Sequence, residues 1–400
     1  MIMANNNENK ILNVPHLRFP EFSGEWVTKS INDLAVVIGG GTPDTTVKSY
    51  WDGEIQWFTP SEIGKNKYVD SSLRTITEVG LNNSSAKLLP PNTILLSSRA
   101  TIGECSLSLR ECATNQGFQC LVSKKCNVDF LYYLIQTKKK DLIRKSCGST
   151  FLEISANEVR KIQVSVPSDV EQQKIAELLS LIDERIATQN KIIEDLKKLK
   201  SAISKQVFAQ EPNGWCRLDT LFSKGKAGGT PTSTNKEYYN GEIPFLSIND
   251  ITKQGKYVRY TENHLSQSGL ENSSAWVVPK YSLIMSMYAS VGLVTINEIP
   301  TTTSQAMFAM QLKDKGLLDY LYYYLSYFKY RYIHKYLETG TQSNINADII
   351  RGIMIPIYGH SRNMEIASTL QGIDVKIDNE LSVLKLFNKQ KNYLLSQMFI

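Results

Sequence analysis

Apolar residues in segment 171–208 recur at intervals of three and four positions, the spacing of one face of an α-helix. The segment contains neither glycine nor proline and is rich in strong helix formers, so it predicts a single helix of about 38 residues. The apolar stripe consists of Leu179, Ile182, Ile186, Ile193, Leu196, Ile203 and Val207, and the polar residues Gln189 and Lys200 interrupt it.

A second segment repeats this pattern at a constant offset of 191 residues. Its stripe consists of Leu370, Ile373, Ile377, Leu384, Phe387, Leu394 and Met398, with polar residues at the matching positions Glu380 and Lys391. A polar residue inside an apolar seam fixes register and partner. We therefore predict that the two helices pack on each other as an antiparallel coiled coil about a pseudo-two-fold axis, as a rod roughly 55 Å long between two globular heads.

The segments before the two helices also repeat, in the same order. Gly40-Gly41-Thr42-Pro43 returns as Gly228-Gly229-Thr230-Pro231, and Asn83-Ser84-Ser85-Ala86 returns as Asn272-Ser273-Ser274-Ala275. A period of this length corresponds to one domain plus one helix, so it indicates a duplication and not a solenoid.

Short β-rich runs bounded by turn residues fall at 31–38, 55–58, 93–96 and 118–122. Segment 128–143 predicts a helix, and 317–337 is its counterpart. Strands and helices without strict alternation favour an α+β class for each globular part. We predict an N-terminal arm at 1–16, globular domains at 17–167 and 209–358, and long helices at 168–208 and 359–400.

Composition narrows the class of protein. The chain has 400 residues, 42% apolar and 21% charged, which is typical of a soluble globular protein. Its net charge of +6 permits nucleic-acid binding but is equally explained by a lysine-rich surface. Neither a membrane-spanning run nor an export signal is recognisable, and the six cysteines form no C-x-x-C pair, so we expect a cytoplasmic protein without disulfides or zinc.

The sequence lacks the motifs that carry common enzyme chemistry. No phosphate loop, dinucleotide fingerprint, zinc-protease motif or nucleophile elbow is present, and the four histidines do not repeat between the halves. The glycines before Thr42 precede a proline and not a helix, which favours a tight turn over a phosphate cradle. We therefore expect no catalysis by this chain and no metal site.

Several strings resemble one family, the specificity subunits (HsdS) of type I restriction-modification systems. The resemblance begins at Phe19-Pro20-Glu21-Phe22-Ser23-Gly24-Glu25-Trp26 and continues through Arg99-Ala100-Thr101-Ile102-Gly103 and Ala113-Thr114-Asn115-Gln116-Gly117-Phe118 to Glu171-Gln172-Gln173-Lys174-Ile175-Ala176. It covers nearly the whole chain twice, in the order recognition domain, helix, recognition domain, helix.

This resemblance implies a non-catalytic reader of double-stranded DNA that assembles with two adenine methyltransferase subunits and, for cleavage, with restriction and translocase subunits. S-adenosylmethionine, ATP and Mg²⁺ would then belong to the partners. Two dissimilar heads on one rod should read an asymmetric, bipartite target, with half-site centres about 10 bp apart and an unread gap of about six base pairs.

The DNA-binding candidates fall in corresponding segments of the two halves. Lys65, Lys67, Lys253 and Lys256 are predicted to contact phosphates, although surface loops commonly carry lysine. Ser98, Arg99 and Tyr288 follow apolar strands; Arg99 either pairs with guanine or forms a structural ion pair. Asn115 and Gln305 either bind adenine through their amides or hold a turn.

The alternative hypothesis, from another class of function, is that the chain is a scaffold protein. A duplicated adaptor with a coiled coil would recruit protein partners without sequence-specific DNA binding, and the duplication fits both hypotheses. The two differ in salt dependence and in sequence preference, since only a DNA reader loses affinity steeply with salt and selects one bipartite sequence.

Overall fold

The computed structural model describes residues 13–148, 152–336 and 344–400. The chain forms two compact units, Met1–Ile192 with Leu381–Ile400, and Ile193–Glu380. Each unit therefore contains one globular part and a segment of both long helices. The predicted arm at 1–16 lies, up to residue 12, outside the described residues, and the predicted domain boundaries stay a prediction.

The globular part of the first unit mixes short strands and short helices. Its strands are β1 (Val27–Ser30), β2 (Ala35–Gly39), β3 (Trp51–Phe58), β4 (Tyr68–Val69), β5 (Arg74–Ile76), β6 (Ile94–Leu96), β7 (Cys105–Ser108), β8 (Cys112–Thr114), β9 (Gln119–Ser123) and β10 (Gln163–Val166). Its helices are α1 (Ile31–Leu34), α2 (Glu78–Asn82), α3 (Val128–Thr137), α4 (Lys139–Arg144) and α5 (Ala156–Lys161), followed by the long helix α6 (Asp169–Phe208).

The second unit repeats this series. Its strands are β11 (Gly214–Arg217), β12 (Phe222–Ala227), β13 (Tyr239–Leu246), β14 (Tyr257–Val258), β15 (Asn263–Leu265), β16 (Leu283–Ser286), β17 (Val294–Asn297), β18 (Thr302–Thr303), β19 (Met307–Leu312) and β20 (Met354–Ile357). Its helices are α7 (Ile248–Gln254), α8 (Gln267–Glu271), α9 (Leu318–Arg331) and α10 (Ala347–Arg351), followed by the long helix α11 (His360–Gln397).

The sheets have the same topology in both units. In the first, one sheet has the order β2-β9-β6-β7-β4, a second has β5-β3-β8, and β1 pairs with β10. The second unit has β12-β19-β16-β17-β14, β15-β13-β18 and β11-β20. Because strand order, direction and pairing correspond throughout, the α+β prediction and the internal duplication are confirmed.

The two long helices are packed antiparallel, as predicted. In the first unit the N-terminal part of α6, with Leu179 and Ile182, shares a core with Leu394 near the end of α11 and with Met398 just after it. In the second unit the C-terminal end of α6 shares a core with Ile366 and Leu370 near the start of α11. Of the fourteen apolar stripe residues, seven are buried and seven partly buried: Leu179, Ile182, Ile193, Leu370, Ile377, Leu394 and Met398, then Ile186, Leu196, Ile203, Val207, Ile373, Leu384 and Phe387.

Aromatic side chains close the core of each unit from the far end of a helix. The ring of Phe399, just after α11, lies 5.3 Å from Phe130 and 6.4 Å from Trp26 in the first unit. Phe208, at the end of α6, lies 5.3 Å from Tyr324 in the second unit. Each globular part is thus packed against the beginning of the helix that follows it and the end of the other one.

Two predicted elements differ from the structure. Segment 31–38 begins as a helix because Ser30 forms a capping box with Asp33, and the strand starts only at Ala35. The helix predicted at 128–143 is two helices, since the backbone leaves the helical conformation at Lys138. Its predicted counterpart at 317–337 is α9, and residue 337 lies outside the described residues.

Candidate nucleic-acid interface

The ends of four strands and the starts of others meet at one side of the first unit. β2, β3, β6 and β8 end there and β7 and β9 begin there, because Gly39 is in register with Gln119, Phe58 with Thr114, and Leu96 with Cys105. We call segments 40–43, 59–61, 97–101 and 115–118 the first loop edge. Backbone hydrogen bonds tie them together, from Ser98 N–H to Gly117 O (2.8 Å) and from the amide of residue 115 to Phe58 O (3.1 Å).

The second unit has the same arrangement, formed by segments 228–231, 247–249, 286–290 and 304–306, which we call the second loop edge. Its backbone bonds run from Gly229 N–H to Thr303 O (2.9 Å) and from Met287 N–H to Ala306 O (2.7 Å). The duplicated sequence therefore produces two equivalent sets of strand-end loops.

The repeated Gly-Gly pairs are explained by close packing at these edges. A Cβ at Gly40 would overlap the carbonyl oxygen of Asn115, and one at Gly41 would overlap the backbone after Ser85. Gly228 and Gly229 have equivalent neighbours. The glycines shape the loops, which agrees with the predicted tight turn.

The threonine after each glycine pair orients a glutamine. The Thr42 hydroxyl donates to Gln116 Oε1, and the Thr230 hydroxyl donates to Gln305 Oε1. Both glutamines are exposed, and a side-chain oxygen has a second lone pair, so each amide keeps an acceptor and its NH₂ donors. The predicted candidate Gln305 therefore has Gln116 as its counterpart.

The structure places Asn115 in a turn and Ser98 in the interior, which is a correction of the prediction for Ser98 alone. The Asn115 Oδ1 atom accepts from Gly117 N–H at 2.9 Å and holds the turn, which is the alternative that the sequence left open. Ser98 is fully buried, because strand β6 carries it into the interior of the sheet edge. The Ser98 side chain is therefore not presented to a ligand, whereas the Asn115 side chain is partly exposed.

Arg99 and Tyr288 occupy equivalent positions at the tips of the two loop edges. Arg99 Nε lies 2.8 Å from Glu153 Oε1, and 43% of the Arg99 side chain is exposed. An ion pair is formed, yet a guanidinium has five N–H donors and keeps some of them for a ligand. Tyr288 is exposed, and Ala289 and Ser290 beyond it have positive φ angles of 37° and 51°, a conformation that costs energy for non-glycine residues.

Lys67 and Lys256 are buried structural residues, and this corrects their predicted role as phosphate contacts. Lys67 Nζ lies 2.6 Å from Asp129 Oδ1 with 6% of its side chain exposed, and Lys256 Nζ lies 2.7 Å from Asp319 Oδ1 with 10% exposed. Burial lowers the pKa of Lys256, although its aspartate partner opposes this shift. The sequence places both in surface-like loops, but neighbouring elements cover them.

Lys65 and Lys253 remain exposed. Lys253 is paired with Glu262, and the hydrogen bond between them raises its pKa. An exposed pair of this kind contributes little to stability.

Arg74 is a candidate that the sequence alone does not single out. Its guanidinium lies 3.5 Å from the centre of the Trp51 ring, and Arg74 is exposed where β5 is in register with Trp57, next to the first loop edge. Stacking fixes the plane of the guanidinium while its N–H edge stays available. The sequence signal was weak, since the arginine has no basic counterpart in the second unit, where Asn263 begins β15.

Within residues 13–148, 152–336 and 344–400, histidine, cysteine, aspartate and glutamate form no cluster of three or more that could hold a metal ion. None of the helices in these ranges combines the length and apolar character that crossing a bilayer requires.

Comparison with known proteins gives consistent similarities. The family model described as "Type I restriction modification DNA specificity domain" matches residues 23–198 and 212–384. The chain is 34% identical over 254 residues to the type I restriction enzyme MjaIX specificity subunit of Methanocaldococcus jannaschii, which covers 57% of this chain and 59% of that protein. It is 31% identical over 190 residues to the EcoR124I/EcoR124II specificity subunit of Escherichia coli, covering 46% of each. The chain thus spans about half the length of these curated relatives.

Solved structures share the fold at low sequence identity. The type I restriction-modification S subunit from M. genitalium aligns over 97% of this chain and 99% of its own, with a TM-score of 0.58 and 16% identity. A chain from a structure described as "Structural basis underlying complex assembly and conformational transition of the type I R-M system" aligns over 94% and 98%, with a TM-score of 0.61 and 16% identity.

Proposed function

Because the chain belongs to the family of type I restriction-modification DNA specificity domains, we propose that it is the sequence-specific DNA-binding subunit of such a system. It reads an asymmetric, bipartite target and directs adenine methylation and cleavage that partner subunits carry out. The chain itself is not catalytic.

The presence of two loop edges with one framework and different tips carries this proposal. Backbone bonds, glycine pairs and Thr-Gln contacts repeat between the units. The tips do not repeat, since Arg99 stands where the second unit has Tyr288. A duplicated reader with unlike tips fits a target whose two halves differ in sequence.

Each loop edge would read bases in the major groove, where every base pair presents a distinct set of donors and acceptors. Arg99 and Arg74 carry the paired N–H donors that suit guanine, and the oriented amides of Gln116 and Gln305 suit adenine. Lys65 and Lys253 would contact phosphates, which sets position without conveying sequence.

The partners follow from the family. We propose two methyltransferase subunits, with restriction and translocase subunits for cleavage, in the cytoplasm. S-adenosylmethionine, ATP and Mg²⁺ would be bound by these partners. Exposed apolar side chains on the long helices support protein partners; in the first unit Leu181, Leu386 and Tyr393 are 57%, 63% and 59% exposed.

Sequencing of methylated adenines in cells with and without this chain tests the proposal. We expect one bipartite, non-palindromic motif that disappears on deletion and returns when the chain is supplied. Purified chain should bind a duplex with this motif and lose affinity steeply between 50 and 200 mM salt, by about 10³-fold or more if six phosphates are contacted. Absence of any motif, together with affinity that does not change with salt, would favour the scaffold.

A further inference from the structure

A polar cluster joins the globular part of the first unit to both long helices. We call Lys67, Asp129, Tyr133, Asp183 and Lys391 the first junction cluster. The Tyr133 hydroxyl on α3 donates to Asp183 Oδ2 on α6 at 2.7 Å, and Lys391 Nζ on α11 lies 2.7 Å from Asp183 Oδ1. One carboxylate oxygen of Asp183 therefore binds the globular part, and the other binds the second long helix.

The second unit contains the same cluster with the helices exchanged. The second junction cluster is Lys256, Asp319, Tyr323, Asp374 and Lys200. The Tyr323 hydroxyl on α9 donates to Asp374 Oδ2 on α11 at 2.8 Å, and Lys200 Nζ on α6 pairs with Asp374 Oδ1. Each globular part is thus bound to the aspartate of its own following helix and, through it, to a lysine of the other helix.

Each cluster also contains one lysine from the globular part. Lys67 lies just before β4 and Lys256 just before β14, and both extend the contact into these loops. Lys67 Nζ donates to Ser180 Oγ on α6 at 2.7 Å and lies 4.9 Å from the centre of the Tyr133 ring. Lys256 Nζ donates to Tyr323 OH at 3.1 Å and lies 4.3 Å from the centre of that ring. Both lysines are nearly inaccessible, so these contacts are fixed by packing.

These clusters are directional, whereas the apolar contacts around them are not. Asp183 and Lys391 are 13% and 17% exposed, and charges at this depth are tolerated only in good geometry; Asp374 and Lys200 of the second cluster are more exposed, at 25% and 28%. An apolar seam permits small sliding and rotation, but a shared carboxylate between a tyrosine and a lysine does not. The cluster therefore defines the angle between the globular part and the helix pair.

We propose that Asp183 and Asp374 are positioning residues that hold each loop edge at a fixed angle to the helix pair and so set which gap between half-sites is accepted. This inference rests on the proposed function. The two aspartates touch no DNA; they act through the globular part that carries the loop edge.

The test uses full-length chain with its partners in cells that carry a plasmid library of the bipartite motif, in which the gap varies by one or two base pairs. For Asp183→Asn and Asp374→Asn we expect unchanged half-site bases. The ratio of methylation at the preferred gap to that at neighbouring gaps should fall about tenfold, which corresponds to about 1.4 kcal/mol. Asp195→Asn, the same change at an exposed position of α6, should leave the ratio unchanged.

Milder and compensating variants separate positioning from folding. Tyr133→Phe removes one hydroxyl and should lower the ratio in the same direction even if Asp183→Asn fails to fold. Asp183→Lys puts two lysines together, and adding Lys391→Asp should restore gap selectivity at least in part.

The outcomes separate this inference from the proposed function. If wild-type chain yields one motif and the variants lose thermal stability but keep their gap selectivity, the clusters are only structural and the positioning role is wrong. A double variant as unselective as Asp183→Lys alone would also contradict it. If wild-type chain yields no motif at all, the proposed function itself fails.

Discussion

The ring of Phe399 lies 5.3 Å from the ring of Phe130, although 268 residues lie between them in the sequence. This contact closes the core of the first unit, and Phe208 makes the corresponding contact with Tyr324 in the second. We expect Phe399→Ala to lower the free energy of unfolding by about 3–5 kcal/mol, the usual cost of deleting a buried phenylalanine.

Hydrogen exchange measured unit by unit checks this prediction. Phe399→Ala should accelerate exchange in α3, and Phe208→Ala should do so in α9. Tyr393→Ala, at an exposed position of α11, is the control and should change stability by no more than about 0.5 kcal/mol. Equal acceleration in both units after either change would argue against two separate cores.

Glycine at the loop edge is required for space. Gly41→Ala would force a Cβ into the backbone after Ser85, and we expect a loss of about 1–3 kcal/mol, as for other overpacked sites. Gly372 in α11 has open space around its Cβ position, so Gly372→Ala should instead stabilise by about 0.5–1 kcal/mol through helix propensity. Thermal unfolding of both variants should show stability changes of opposite sign. A Gly41→Ala variant as stable as the wild-type chain would contradict the packing argument.

The two tips should control different halves of the target. Arg99→Ala is expected to relax base preference in one half-site, and Tyr288→Ala in the other, each by about 1–3 kcal/mol of discrimination. Selection of bound duplexes from a randomised library measures both. Arg110→Ala is the matched control, because Arg110 forms a similar exposed ion pair with Asp70 at the opposite end of β7. Relaxed preference in both half-sites after one change would overturn the assignment of one tip to one half-site.

Buried thiols should make stability depend on alkaline pH. Burial raises the pKa of the Cys105 and Cys120 thiols from 9.0 to about 12. Below pH 9 both states keep the proton, and as pH rises from 9 to 12 only the unfolded thiols ionise, so the free energy of unfolding falls across this window. Urea unfolding at several pH values checks the sign.

Thiol reactivity gives an independent measurement. Cys147 is exposed and should react with a thiol reagent in the native state, whereas Cys105 and Cys120 should react only on unfolding. Cys147→Ser should remove the fast phase. A fast phase that persists in this variant and includes Cys105 would contradict its burial.

The long helices and the duplication were predictable because they depend on local properties. The absence of glycine and proline and the stepping of the apolar stripe specify α6, and repetition identifies α11 even though it contains Gly372. The break at Lys138 was not predictable, since no proline or glycine marks it. The apolar pattern of segment 31–38 predicts a strand, and a capping box at Ser30 is too short a signal to mark the helix that begins there.

The burial of Lys67 and Lys256 could not be predicted from the local sequence around each lysine. Lys67 and Lys256 look like surface residues, and only contact with α3 or α9 shows that they are buried. A signal was present all the same: Asp183 and Asp374, like Lys200 and Lys391, repeat at the offset of 191 residues. Charged residues that repeat in step with an apolar seam indicate paired positions in the fold.

The closure of each core by a distant helix end has a consequence for synthesis on the ribosome. The core of the first unit includes Leu394, Met398 and Phe399, which are translated after the whole of Ile193–Glu380. The second unit is one continuous stretch of chain and has all of its parts available earlier. Domains usually complete folding in the order of translation. Here the second unit can finish first, and the first unit must wait with an open apolar surface.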